Sequence, residues 1–534
     1  AIRALASHLH ADFARIQSFK QAAFWSTAIN AFRQGLALVF SMVMATVFGA
    51  QESTDVLYYC LGVFALLSGL IQAANVSVLI PETMRRRHQV GEADAMAFIN
   101  RFFAAFAAVI AALTVWLLRD PAGALTAISK FSPEALERNS RLVFWLLATL
   151  PLQMAAQLLL DVLVSYKFLT LPATLSCVNR ALNILFVLLF HRHLGVLSVA
   201  LGMLLGFGIQ VGLNAYLLGH AIHWRLAWKT RIAGSVYRNV AWTEIGILAG
   251  TVAGYLPLFL FSGFSAGMMT ALNYARRVSA IPAELLTTQI SGVVAVKFNE
   301  LAARRQREGL AAAFERMSRL TAFILIPLSG ALALVGPDLV RILFGRGAFL
   351  EGGAVELTSA LLSLLALNIP LIGLMTLMAR FIVAHQAIGY GTAWQMFSAL
   401  LNAAMVIGWV RWLGALGLPV GLILHMFLYL ALISVSMARR FPGLALGRVW
   451  RALFLNVAAT AVVALPVWLA RMRWGSGISP WWLGAATVLL FAAGYGLLLF
   501  VLPPDRMAWQ YCREMARTAA ARLRGGARTD ASGG

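Results

Sequence analysis

The chain has 534 residues, of which 60% are apolar and 12% charged, with a formal charge of +22 and a mean hydropathy of +0.79. No water-soluble domain of this size needs so apolar a composition for its core. Its apolar runs are continuous and not alternating, which also excludes a membrane barrel and leaves an all-α polytopic membrane protein.

In chain order, residues 1–20 space Ile2, Leu5, Leu9, Phe13 and Ile16 at helical intervals without a signal-peptide cleavage pattern, and are expected to form an interfacial helix. A bilayer core roughly 30 Å thick needs ~20 apolar residues per helix. About fourteen segments meet that length: 21–49, 55–80, 95–118, 142–165, 171–190, 195–220, 239–263, 266–296, 317–336, 354–384, 391–410, 414–437, 452–471 and 480–502. The last stretch, 506–534, reads as a basic tail whose final ten residues or so have a disordered composition.

An even number of spans puts both termini on one side. The connections on that side carry 27 lysines and arginines, against ten on the other. Basic residues favour the cytoplasmic face, so both termini are expected in the cytoplasm. The same distribution accounts for most of the net charge through contacts with lipid headgroups, and no nucleic-acid partner is called for. Six basic residues fall inside spans: Arg33, Arg101, Arg180, Arg276, Arg277 and Arg380. A guanidinium at the bilayer centre costs ~2.5 kcal/mol or more unless it faces water or a partner. Arg101 and Arg380 sit where a long side chain can snorkel to an interface, whereas Arg33, Arg276 and Arg277 lie deeper.

Cys60, Cys177 and Cys512 are scattered singly, and the histidines form no ligand pair on a span, so neither a disulfide framework nor a metal site is expected. His425, alone in an apolar run, reads as a packed residue. The chain has no phosphate-binding loop and no nucleophile elbow, so no catalytic residue and no cofactor are indicated.

An internal repeat organises the spans. Residues 182–202 (LNILFVLLFHRHLGVLSVALG) align without a gap on 401–421 (LNAAMVIGWVRWLGALGLPVG) at a constant shift, matching Asn183 with Asn402, Arg192 with Arg411, Gly195 with Gly414 and Gly202 with Gly421. Six spans precede residue 222 and six more precede residue 441, which predicts two parallel six-helix lobes, 21–222 and 223–441, around a central cavity. Residues 442–505 then add helices 13 and 14.

Within that scheme LNYARRVSAIP, residues 272–282, belongs to a cavity wall. Successive helical residues point about 100° apart, so Arg276 and Arg277 cannot share one narrow face. Glu284 lies on nearly the face of Arg277 but about 10.5 Å further along an ideal helix, beyond direct pairing unless Pro282 bends it. Glu244 and Asp55 are the alternative counter-ions for Arg276, in a purely structural pairing.

Three stretches resemble the MviN/MurJ family, the lipid II flippases of the multidrug/oligosaccharidyl-lipid/polysaccharide (MOP) exporter superfamily. LNYARRVSAIP is similar to the family's Y-A-D-R-L-x-x-x-P, VFGAQESTDVLYY (47–59) to its F-G-A-x-x-x-x-D-A-F-F, and ILFGRGAFLEGGAVELTSALL (342–362) to its L-F-x-x-G-x-F pattern before helix 10. The resemblance implies an undecaprenyl-diphosphate-linked glycan as substrate, flipped from the cytoplasmic to the outer leaflet by alternating access, and transport rather than enzymatic catalysis. It places the family's cavity arginine at Arg277, with Arg276 where Asp is usual, and Arg33 at the first arginine of helix 1. The second helix-1 arginine and the helix-2 pair are absent, with Ser68 and Gly69 in the helix-2 stretch, which implies a cavity rebuilt for a related saccharide. Coupling to Na+ or to the membrane potential is implied through oxygen ligands on helices 7 and 11, for which Glu244 and Asn402 are the candidates. Partners would be the bilayer, the lipid-linked glycan and cell-envelope synthesis proteins. Two other readings stand beside transport: an inactive scaffold recruiting partners through its basic tail, and a membrane enzyme acting on lipid-linked sugars, for which no acid, base or metal cluster is evident.

Overall fold

A computed structural model describes residues 19–165, 171–221, 234–284, 288–475 and 477–514, with isolated positions at 224, 225, 227, 228, 230 and 517. The expected interfacial helix at 1–20 and the end of the tail fall almost entirely outside the described residues. All regular structure among the described residues is helical. The membrane, which offers backbone groups no water, leaves continuous apolar segments no other solution.

The chain separates into two compact units, Ala1–Arg277 with Leu343–Leu357, and Val278–Ile342 with Thr358–Gly534. In the first unit the helices are α1 (Phe19–Phe48), α2 (Glu52–Ala74), α3 (Ile80–Gln89), α4 (Glu92–Arg119), α5 (Pro121–Ile128), α6 (Pro133–Arg138), α7 (Ser140–Ser165), α8 (Leu171–Leu194), α9 (Leu197–Ala221), α10 (Gly234–Phe261) and most of α11 (Met268–Pro282). A π-helical turn, Asn75–Leu79, joins α2 to α3. α9 packs on α7 and α8, α2 on α7 and α10, and α1 on α8.

The second unit holds α12 (Thr288–Ala303), nearly all of α13 (Arg307–Phe344), most of α14 (Ala354–Ala366), α15 (Ile369–Ala384), α16 (Ile388–Leu413), α17 (Gly417–Arg440), α18 (Leu446–Trp474) and α19 (Pro480–Val501). Its core gathers Phe298, Phe314, Leu374, Phe381, Leu430 and Met437, each no more than 3% exposed. Among the described residues eleven stretches are long and apolar enough to cross a membrane, and one of them, Gly389–Arg440, runs through both α16 and α17. Gly250–Phe261 is a shorter apolar helix, and the expected span 266–296 is divided between α11 and α12.

The sequence repeat has the same local structure twice. Gly195 and Gly414 end α8 and α16 with φ of +55° and +59°, a left-handed conformation that side chains with a Cβ rarely adopt. Gly202 then packs against Phe186, and Gly421 against Met405, positions related by the same shift. A small residue lets each helix approach the one before it.

Several arginines expected near interfaces are tied to acids or carbonyls. Arg86 is buried between Glu82 and Asp94. Arg101 donates from Nη1 to the carbonyl of Thr230 at 2.6 Å and so holds the chain after α9. Arg319 donates from Nε and Nη2 to Asp505 at 2.8 and 2.7 Å. Burial alone would raise the Asp505 carboxyl, but the Arg319 fork and the Ala508 N–H outweigh it and hold the carboxyl below its ordinary value.

The fully buried Asp338 of α13 accepts from both terminal nitrogens of Arg471 on α18, which also donates to the carbonyl of Leu334 at 3.0 Å. Arg471→Ala strands that carboxylate and should destabilise the protein by roughly 3–5 kcal/mol. Pairing it with Asp338→Asn should recover part of the loss. Melting curves of both single variants and the double variant test the coupling; simple additivity would contradict it.

Candidate functional site

The three family-like stretches, distant in sequence, meet inside the first unit. α1 stops at Gly49, whose φ is +66° and whose Cα lies so close to Ala348 that an added Cβ would come within 2.5 Å of the Ala348 carbonyl oxygen. Six residues later Asp55, 3% exposed, turns its carboxylate onto the start of α11. It accepts from the backbone N–H of Gly267 at 2.6 Å, the N–H of Thr270 at 2.8 Å and the Thr270 hydroxyl at 2.6 Å. Asp55 is therefore a helix cap, not the arginine counter-ion or solvated residue its place at a span end suggests. Tyr274 of α11 completes the joint, stacked on Phe344 at 4.7 Å and edge-on to Tyr58 and Phe349 at 5.6 and 5.2 Å.

From that fixed start, Arg277 lies nine residues into α11, about 14 Å along the helix. Its Nη2 donates to Oε1 of Gln34 at 2.6 Å, beside Arg33 on α1. Arg33 in turn lines a cavity of about 410 Å3 built wholly from the first unit. Arg180 of α8 lines it too, and Arg33 and Arg277 are its cationic neighbours. The rest of the polar wall consists of hydroxyls and amides: Ser68, Ser176, Gln153, Gln157, Asn179, Asn183 and Gln210. No carboxylate lines this cavity among the described residues, and neither Arg33 nor Arg180 has an acidic partner there. Some of the wall is internally bonded, with Gln153 donating to Ser68 at 3.1 Å and Asn179 to Gln210 at 2.7 Å. Oxygens of Gln153 and Asn183 remain buried without a hydrogen-bond partner.

The structure thus brings Arg33 and Arg277 together and adds Arg180, which the sequence shows as an in-span cation without a role. The available signal was a polar stripe on α8, Ser176, Asn179, Arg180 and Asn183, at helical spacing. Arg276 is half-buried. Glu244 belongs to α10, but its side chain lies outside the described residues. Glu284 is exposed just beyond Pro282, and Asn402, in the second unit, is half-buried with its Oδ1 enclosed and unbonded. Arg380 is exposed.

A family model described as lipid II flippase MurJ matches residues 3–233 and 215–483. The chain belongs to this family. Among its relatives, the probable lipid II flippase MurJ of Aquifex aeolicus (strain VF5) is 25% identical over 243 residues, a match spanning about half of each protein, 45% of this chain and 47% of the relative. The solved lipid II flippase MurJ in its inward closed conformation has the same fold, with a TM-score of 0.75 at 16% identity over 92% of this chain and 99% of that one. An inward-facing multidrug resistance MATE family transporter of the MOP superfamily matches with a TM-score of 0.64 at 14% identity, covering 77% of this chain and 95% of the other. The MurJ-family chain is therefore a multi-pass membrane protein of the MOP fold.

The joint around Asp55 predicts a sensitive position in this MurJ-family chain. Gly49→Ala meets a backbone carbonyl and a left-handed φ at once, and should lower stability by ~2 kcal/mol or more. Thermal unfolding of the purified variant measures it; an unchanged midpoint would mean that α1 does not depend on this close approach.

Proposed function

We propose that the protein flips a polyprenyl-diphosphate-linked glycan, lipid II or a close relative, from the cytoplasmic to the outer leaflet of a bacterial inner membrane. The observation that carries this reading is that Arg33 and Arg180, from two helices, line one amide-rich cavity whose described lining holds no carboxylate, with Arg277 close by on Gln34. A guanidinium fork binds phosphate oxygens in bidentate fashion, and a diphosphate offers multiple negative charge to a cavity whose described lining carries cations and no carboxylate. Amide and hydroxyl side chains offer the donors and acceptors that a sugar requires. Ser68 shares the cavity with Arg180, so the cation that the family pattern places on helix 2 is supplied here from α8.

Alternating access is supported by the shared fold, since MATE transporters of the superfamily are described in inward-facing and outward-facing conformations. The excess of 27 over ten basic residues supports cytoplasmic termini. An impermeant thiol reagent applied to intact cells should then label Leu350→Cys and spare Val90→Cys, both at exposed positions. The reverse pattern would invert the topology. The scaffold and enzyme alternatives have no observation of their own.

The functional test is translocation of a labelled polyprenyl-diphosphate glycan by purified protein in liposomes. Arg277→Ala should abolish flipping, Arg180→Ala should slow it at least ~10-fold, and Arg277→Lys should rescue it only partly because an ammonium lacks the fork. Arg380→Ala serves as the exposed control at the parental rate. Parental flipping by both Arg277→Ala and Arg180→Ala would remove the basis of the proposal.

A further inference from the structure

The first unit also buries a carboxylate that the arginine cluster does not use. Asp161 of α7 is 5% exposed, although its place at a span end suggests a solvated residue. Among the described residues its bonded partners are amides: Asn75 Nδ2 donates to Oδ2 at 2.6 Å, and Gln157 Nε2 lies 3.1 Å from both oxygens. No lysine, arginine or histidine pairs with it among those residues. Asn75 is completely buried, and its own Oδ1, on the amide already turned to Asp161, has no hydrogen-bond partner. Asn75 also opens the π-helical turn Asn75–Leu79, a local widening that recurs at functional sites.

We propose that Asp161 anchors a binding site for a monovalent cation of the sodium class, with Asn75 and Gln157 as its further oxygen ligands. A rotation of about 180° of either terminal amide exchanges nitrogen for oxygen without moving the backbone. For Asn75 the exchange breaks no bond to the oxygen, which has none, and gives up the Nδ2 bond to Asp161, whose place the cation takes. The ligand set is then all oxygen, which suits a hard cation, and its single carboxylate balances one positive charge. Calcium and magnesium sites draw on more carboxylates or on substrate phosphates. Gln157 lines the same cavity as Arg33 and Arg180, so the site has a polar route to it, and an occupied site turns a different amide face toward that cavity than an empty one. The proposal does not rest on which lipid is flipped.

The test uses the purified full chain in detergent, melted at pH 7.5 and constant ionic strength in NaCl, LiCl, KCl or choline chloride, without substrate. Sodium should raise the midpoint saturably by at least ~2 °C, potassium and choline less. Asp161→Asn keeps the side-chain shape and removes the charge, and its midpoint should be independent of sodium. Asn75→Ala should need at least ~10-fold more sodium for half the effect. If Asp161→Asn does not fold, Gln157→Leu carries the comparison, again with at least ~10-fold more sodium for half the effect. Three results overturn the proposal: no sodium response in the parent, equal responses to all the cations, or a sodium response that persists undiminished in the variants.

Discussion

The capping of α11 by Asp55 is the contact on which the site depends. A helix start carries N–H groups with no intrahelical acceptor, and inside a membrane protein no bulk water is available to satisfy them. One carboxylate meets two of these backbone donors and a threonine hydroxyl. It also sits at the positive ends of two helix dipoles, that of α11 and that of its own helix α2. This anchors the first turn of α11 to that of α2, and the stacking of Tyr274 on Phe344 fixes the rotation. Arg277 then follows at a depth set by helix rise alone, beside Gln34.

Charge is handled differently at the cavity than elsewhere. Arg86, Arg319 and Arg471 all meet carboxylates, in pairs or small networks that neutralise them. Around Arg33 and Arg180 the wall is built from amides and hydroxyls, which stabilise a cation without cancelling it. The positive field therefore remains available to an anionic ligand. Asp161 is the complementary case in the same unit, a buried carboxyl group held by amides with no cation paired to it among the described residues.

The hydropathy pattern by itself determined that the protein is a helical membrane protein, because a bilayer demands long apolar segments wherever the chain crosses it. The repeat was equally legible, since Gly195 and Gly414 are required by backbone conformation and Gly202 and Gly421 by a close helix approach, both local demands. The family-like motifs located Arg277 for a related reason, as they encode the glycine, aspartate and aromatic residues of one joint. Only the tertiary structure showed that those motifs touch, that Arg180 completes the arginine cluster, and that Asp55 and Asp161 are buried. Position along a span states how deep a residue lies, but not which neighbouring helix covers it. The partners that decide these roles come from afar, as in the 215 residues between Asp55 and Thr270 and the 86 between Asn75 and Asp161, and no local pattern records such a pairing.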